Sequence, residues 1–370
     1  MNDLNQVHQD SIDPPHPCIL FFNVNGSGMG HLNRCLSYAR RLHGRARPVF
    51  FSLASAIELI EDMGFEADYF VSPYWSASST FSWNSELAVR LGMMLERVRP
   101  DVIVFDGTWP FQGFLAACKA YGSPALVWSN RGLLKAGTKT VPVDESGFDL
   151  VVQPGELGAT ESETVLEGGG KRMLVPPVCV LEEEELLDRA AARDALGLAQ
   201  SGRFVLFTLG PGNLKDVAEI GHGLIRVFEA AGFKIVWVRA PISVRDVELP
   251  AGVMPLTVYP LARFLRAFDV VVSAAGYNTC CELVQAGVPA LLVPNAGLAD
   301  DQVRRAHMVA EAMPAVVSAC ETDEQREIAV GELLGMLGAS HVKNVAIPMN
   351  GASLAAEAIL TLAVTKERMQ

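Results

Sequence analysis

The sequence predicts an α/β protein built from two parallel-sheet halves, and three observations carry that expectation. Short apolar runs rich in β-branched and aromatic residues alternate with longer segments of helical period, the sequence form of strands joined by crossover helices. Val102–Phe105 and Ala125–Trp128 are continuously apolar, as strands are when both faces of their sheet are covered. Between Glu156 and Lys171 the text turns polar and Gly-rich before a second βα series begins. With 370 residues, 50% of them hydrophobic and 19% charged, the chain is long enough for two domains of ordinary size.

The elements follow in order. Residues 1–17, MNDLNQVHQDSIDPPHP, read as a flexible polar tail. The first half, 18–177, gives strands at Cys18–Val24, Pro48–Leu53, Ala67–Ser72, Asp101–Asp106, Pro124–Ser129 and Asp149–Gln153. The domain boundary is expected near Pro176–Leu181, in LVPPVCVL ahead of the acidic run Glu182–Glu185. The second half, 178–350, gives Arg203–Leu209, Phe233–Arg239, Val253–Tyr259, Asp269–Ser273, Pro289–Pro294 and Ala315–Ser318, and residues 351–370 close the chain with a helix over Ser353–Lys366. Two Rossmann-like halves are implied, with ligands at the carboxyl ends of the strands, facing the cleft between them.

Composition excludes several functions. A formal charge of −12 argues against general nucleic-acid binding. The seven cysteines include no C-x-x-C pair and no metal-ligand spacing, so they read as reduced thiols of a cytoplasmic protein. The tail has no apolar signal core, and no later apolar run approaches the roughly 20 residues of a spanning helix. Contact with a membrane surface stays open.

The first strand leads into Asn25-Gly-Ser-Gly-Met-Gly-His31 and a helix, LNRCLSYARRL. Gly26, Gly28 and Gly30, with Met29 between the last two, let the backbone turn sharply beside a ligand, and the helix start offers unpaired N–H groups to negative charge. The spacing is not the dinucleotide G-x-G-x-x-G, and the next strand lacks a terminal acid for a ribose, which disfavours a nicotinamide enzyme. His31 at the helix start suits a general base, although a lone histidine is more often a cap or packing residue. Asp106, closing strand Pro100–Asp106, is placed to hydrogen-bond the imidazole or, alternatively, to cap the helix after Trp109.

The second half repeats the strand, turn and helix-start pattern. Gly276, with the amides of Tyr277, Asn278 and Thr279, forms a candidate diphosphate cradle, and Glu282 lies two turns in, where a carboxylate suits two ribose hydroxyls. A third loop to helix start carries Asp300, Asp301 and Gln302, suited either to sugar hydroxyls or to plain helix capping. Arg34, Arg40, Arg41, Arg45 and Arg47 stand in a stretch without an acid between His31 and Pro48: a face for an anionic acceptor or lipid headgroups, or, more commonly, a solvated helix face. Trp75, Phe81, Trp83, Trp109 and Phe111 suit either an apolar acceptor or the core.

The run SAAGYNTCCELVQAGVPALLVPNAGLADDQVRRA resembles the donor-binding region of GT-B glycosyltransferases, the bacterial peptidoglycan N-acetylglucosaminyltransferase and the UDP-glycosyltransferases among them. GSGMGHLNRCLSYARRL and PDVIVFDGTWPFQGFLAACKAYGSP are similar to the same families' glycine loop and to the segment that supplies the base's carboxylate. The resemblance spans roughly residues 18–306 at low identity, and its order and spacing are more telling than any one motif. It implies two Rossmann-like domains facing across a cleft, an N-terminal acceptor domain and a C-terminal donor domain. It further implies that Gly276–Thr279 hold the diphosphate, Glu282 the ribose, and Asp301 with Gln302 the transferred sugar, while Arg305 matches a family arginine. Val258 and Tyr259 fall where the fold wraps the base, and Gly210, Gly212 and Asn213 where it has a second phosphate-facing loop. The chain departs from the peptidoglycan enzyme's second Gly-Gly and from the plant-type His-Cys-Gly, so neither relative's acceptor nor its sugar carries over.

The expected activity is inverting, metal-independent transfer of a sugar from a nucleotide diphosphate, UDP first, to a hydroxyl or amine of a small-molecule or lipid-linked acceptor, with no cofactor. The alternatives are a nucleotide-sugar hydrolase similar to that of the pseudaminic acid pathway, in which His31 activates water, and a non-catalytic nucleotide-sugar binding protein.

Overall fold

The computed structural model describes residues 16–24, 28–122, 124–130, 133–138, 144–157, 163–167, 170–210, 217–239, 242, 248–295, 300–337 and 350–367. The N-terminal half runs β1 (Cys18–Asn23), α1 (Gly30–Arg41), β2 (Arg47–Ser52), α2 (Ile57–Asp62), β3 (Glu66–Tyr69), α3 (Thr80–Val98), β4 (Val102–Asp106), α4 (Gln112–Tyr121), β5 (Ala125–Ser129), β6 (Leu150–Pro154), β7 (Glu163–Glu167) and β8 (Gly170–Val175). Its sheet has the order β3-β2-β1-β4-β5-β6-β8-β7, parallel except where β7 pairs antiparallel with β8. The C-terminal half runs α5 (Arg189–Ala195), β9 (Arg203–Thr208), α6 (Val217–Ala230), β10 (Phe233–Val238), β11 (Met254–Leu256), β12 (Val270–Ser273), α7 (Tyr277–Ala286), β13 (Ala290–Leu292), α8 (Gln302–Ala312), β14 (Ala315–Val317), α9 (Asp323–Leu337) and α10 (Gly351–Glu367). Its six-stranded parallel sheet has the order β11-β10-β9-β12-β13-β14.

Both sheets are covered on both faces, which is why their central strands carry so little polarity. On one face of the first sheet Phe22 stacks with Phe51 and Phe105 and meets Phe114 edge-on. On the other, Phe21 and Phe50 pack with Leu36 and Leu42 of and just after α1. The second sheet is sandwiched likewise by clusters around Leu206 and Val271 and around Phe207 and Trp237. The chain passes from the first core to the second between Val178 and Cys179.

Three differences from expectation have physical causes. The polar, Gly-rich segment 156–171, to which no strand was assigned, carries β7 and the start of β8, which extend the first sheet toward its edge, where strands are short and polar. β3 and β11 are shorter than their apolar runs, because Phe70 turns inward to Trp83 and Leu256 lies at a sheet edge. The closing helix α10 leaves the second half and packs on α1, burying Ala352, Ala355, Ala356, Ile359 and Ala363 in the first core. Its entry is tight: a Cβ at Gly351 would collide with the Pro176 carbonyl.

Candidate active site

β1 and β4 are neighbours with Asn23 opposite Asp106, so the turn after β1 and the end of β4 meet at the carboxyl edge of the first sheet. The turn's Gly28, Met29 and Gly30 are half-buried, and α1 starts at Gly30 with no side-chain cap, leaving its first amides to the cleft. Asn25, Gly26 and Ser27 lie outside the described residues. His31, in the first turn of α1, brings Nδ1 to 2.6 Å from Asp106 Oδ1. Asp106 is fully buried. Burial alone would raise its pKa, but the Arg34 charge and then the bond to His31 hold the carboxyl below its ordinary value. It does not cap α4, which begins at Gln112 with Phe111 in the cap position.

The arginine at the centre of this cluster is the residue that sequence reasoning missed. Arg34 lies one turn after His31, 1% exposed, and donates from Nε to Asp106 Oδ2 at 2.9 Å and from Nη2 to Oδ1 at 2.5 Å. The basic stretch it belongs to does not form an open face for an anionic acceptor. Arg40 pairs with Glu185 and Arg41 with Glu182, each at 2.5 Å, Arg45 pairs with Glu357, and Arg47 with Glu66 at 3.3 Å. The acids come from the linker, α10 and β3, distant in sequence, so the stretch looked uncompensated. Of the aromatic residues, Trp83 is buried and Phe111 packs against it, whereas Trp75 and Phe81 are exposed and Trp109 is half-buried.

Across the cleft, Gly276 occupies the cap position of α7 in an extended conformation, φ −68° and ψ 148°, so the amides of Tyr277, Asn278 and Thr279 open the helix. Asn278 Nδ2 donates to the Gly30 carbonyl at 3.2 Å, joining the two glycine turns, and Tyr259 Oη donates to Asn33 Oδ1 at 2.9 Å. The Tyr277 side chain is turned away into the domain junction: its hydroxyl donates to the Gly155 carbonyl at 2.9 Å and accepts the Val178 N–H at 3.1 Å. Only its amide belongs to the cradle. Glu282 is buried in the second turn of α7 without a hydrogen-bond partner among the described residues, and burial pushes its carboxyl up to about 8.

The third loop is committed to structure more than expected. Asp301 caps α8 by accepting the Arg304 N–H at 3.1 Å, and buried Gln302 accepts the Asn295 N–H at 2.9 Å. Arg305 does not reach into the cleft: it is fully buried and bidentate to both Glu156 of the first domain, at 2.7 and 2.8 Å, and Asp300, at 2.8 and 2.9 Å. It ties the segment after β6 to the loop before α8. Gly210 follows β9 at φ +92°, a conformation that favours glycine, and Val258 is half-buried beside Tyr259; Gly212 and Asn213 lie outside the described residues. Among the described residues no group of three or more His, Cys, Asp or Glu is arranged to hold a metal, the seven cysteines are buried and outside any disulfide, and no helix is long and apolar enough to cross a membrane.

Residues 247–327, which include α7 and α8, match the glycosyltransferase family 28 C-terminal domain. The crystal structure of MurG from Acinetobacter baumannii superposes with a TM-score of 0.55 at 14% identity, over 93% of this chain and 99% of that one. The spinosyn forosaminyltransferase SpnP does so at 0.57 and 15%, over 95% and 96%. The chain has the GT-B fold. Among curated sequences, this GT-B chain is 20% identical over 215 residues to the UDP-N-acetylglucosamine–N-acetylmuramyl-(pentapeptide) pyrophosphoryl-undecaprenol N-acetylglucosamine transferase of Exiguobacterium sibiricum, and 21% identical over 209 residues to that of Bacillus licheniformis. Those matches cover 56% and 54% of this chain and 57% and 55% of the relatives, so the chain spans about half the length of the curated relatives it matches.

Proposed function

We propose that this GT-B protein is a glycosyltransferase that moves a sugar from a nucleotide diphosphate to an acceptor hydroxyl or amine, with inversion and without a metal. The observation that carries the reading is the Asn278–Gly30 bond, which sets the His31–Asp106 pair against the amino end of α7. A base and an anion-binding helix end on opposite banks of one cleft are the two groups such a transfer requires.

In this reading Asp106 holds the imidazole through Nδ1, and the acceptor proton goes to Nε2. The acceptor oxygen or nitrogen forms its bond to the anomeric carbon as the bond from that carbon to the diphosphate oxygen breaks, and the electron pair leaves on the diphosphate. The amides of Tyr277, Asn278 and Thr279 meet the charge that develops there, which is the largest electrostatic demand of an oxocarbenium-like transition state. Glu282 accepts the ribose hydroxyls, Val258 and Tyr259 flank the base, and Gln302 lies nearest the sugar. The curated relatives use UDP-N-acetylglucosamine and a pyrophosphoryl-undecaprenol acceptor by name, and two of the solved neighbours, a spinosyn rhamnosyltransferase and VinC, are complexes with thymidine diphosphates. A pyrimidine diphosphate donor is therefore the first to try, with small and lipid-linked acceptors.

The test is a thermal-shift panel of nucleotide diphosphates and their sugars, followed by turnover assays on the best donor. A ligand that binds only the folded state raises its melting temperature with affinity. The reading expects UDP or dTDP to stabilise the wild type and the His31→Ala variant alike, and turnover in the variant to fall by about 10²- to 10⁴-fold. Undiminished turnover in both His31→Ala and Glu282→Ala would remove the assignment, and sugar release without an acceptor at the full rate would make the protein a hydrolase.

A further inference from the structure

A histidine paired with a buried carboxylate is ordinarily pushed toward its charged form, because the carboxylate stabilises the imidazolium. A base must instead be uncharged when its substrate arrives. Here a second full charge stands at the same ring. Arg34 Nη2 lies 3.0 Å from His31 Nδ1 while also donating to Asp106 Oδ1, and Nε takes the other carboxylate oxygen. Positions 31 and 34 are one helical turn apart, so α1 presents both side chains to the end of β4. The remaining nitrogen, Nη1, is buried without a hydrogen-bond partner among the described residues, and the guanidinium carbon lies 6.0 Å from the centre of the Tyr277 ring. Such an arrangement is costly to build, since an arginine is rarely taken wholly out of water.

Asp106 from β4 and Arg34 from α1 are the charged groups shown meeting the ring. Cys35 and Tyr38 of α1, which feel the same carboxylate, and Tyr277 of α7 behind Arg34 are kept uncharged by burial. Asp106 and Arg34 thus bring a neutral ion pair, rather than a lone carboxylate, to the ring. We propose that Arg34 is a positioning residue of the His31 base: it fixes Asp106 through both carboxylate oxygens and offsets its charge, so that His31 stays uncharged and ready to take a proton at neutral pH.

The inference rests on the reading of His31 as the base, but its test needs neither donor nor acceptor, so the two can fail separately. The ring of His31 is titrated by NMR in the full-length protein. Arg34→Met should raise the midpoint by about half a unit or more, because Asp106 is left unopposed. A smaller rise, no change or a fall would overturn the proposal, since a purely structural arginine would not move the midpoint. Arg34→Met leaves a buried lone carboxylate and risks unfolding. The double variant Arg34→Met/Asp106→Asn removes both charges and keeps the shapes. Its midpoint should stay within about half a unit of the wild type, because the two charges cancel. A larger fall would show that Asp106 acts unopposed and would overturn the proposal on its own.

Discussion

Asp106 and Glu282 are buried carboxylates on opposite banks of the cleft, and the chain treats them in contrary ways. Asp106 is met within the protein by His31 and Arg34, and its carboxyl is held below its ordinary value. Glu282 has been taken out of water with no partner among the described residues, and its carboxyl is pushed up to about 8. Burying an unpaired acid costs several kcal/mol unless it stays protonated, so a fold does not do this for stability. On the proposed reading the His31 bank is complete as folded, whereas the α7 bank would be completed by a group that donates hydrogen bonds to Glu282, such as the ribose of a nucleotide.

The contrast can be broken most severely at His31. His31→Ala should lower kcat by about 10²- to 10⁴-fold while leaving the melting temperature and nucleotide affinity nearly unchanged. Next comes the clamp at the domain junction: Arg305→Met takes the shared cation from Glu156 and Asp300 and should cost about 3–5 kcal/mol in a denaturant titration.

Glu282→Gln is a smaller and more discriminating change. The folded carboxyl keeps its proton up to about 8, whereas the ordinary value is 4.5. The stability tied to that proton is therefore full below about 4.5 and is lost as pH rises through about 8. Glutamine has no proton to lose, so the variant should match the wild type at pH 4 and exceed it by up to a few kcal/mol at pH 8, read as unfolding free energies. The smallest effect belongs to the exposed pairs of the basic stretch: Glu182→Gln, breaking its pair with Arg41, should change stability by no more than about 1 kcal/mol and leave turnover alone.

Much of this was readable in the sequence because it follows from local order. The strands, the two glycine turns and the placing of His31 and Asp106 at strand ends depend on apolar runs and on where they stop. What could not be read depends on partners far along the chain. Arg34 carried one usable signal, its i+3 spacing from His31, but it was hidden in a run of arginines whose acids come from 19 to 312 residues away. Tyr277 was legible as an amide at a helix start, yet the direction of its ring is set by Gly155 and Val178 in the other domain. Arg305 could be named from the family pattern, but Glu156, which holds it, comes from a polar segment with no periodic signal, 149 residues away. β7 was missed because the edge strand ETVLE has no apolar run to announce it, and β8 because Leu174 and Val175, at its end, were read together with the domain boundary that follows.

The claim that the donor bank awaits a nucleotide is tested most directly by titrating UDP into the protein calorimetrically at pH 7 in buffers of different ionisation enthalpy. Glu282 enters protonated and must ionise to accept two ribose hydroxyls. Binding should therefore release a proton, seen as a buffer-dependent enthalpy, and Glu282→Gln should bind more weakly with no such dependence. Equal affinity in the variant, or tight binding that moves no proton in either protein, would contradict the account.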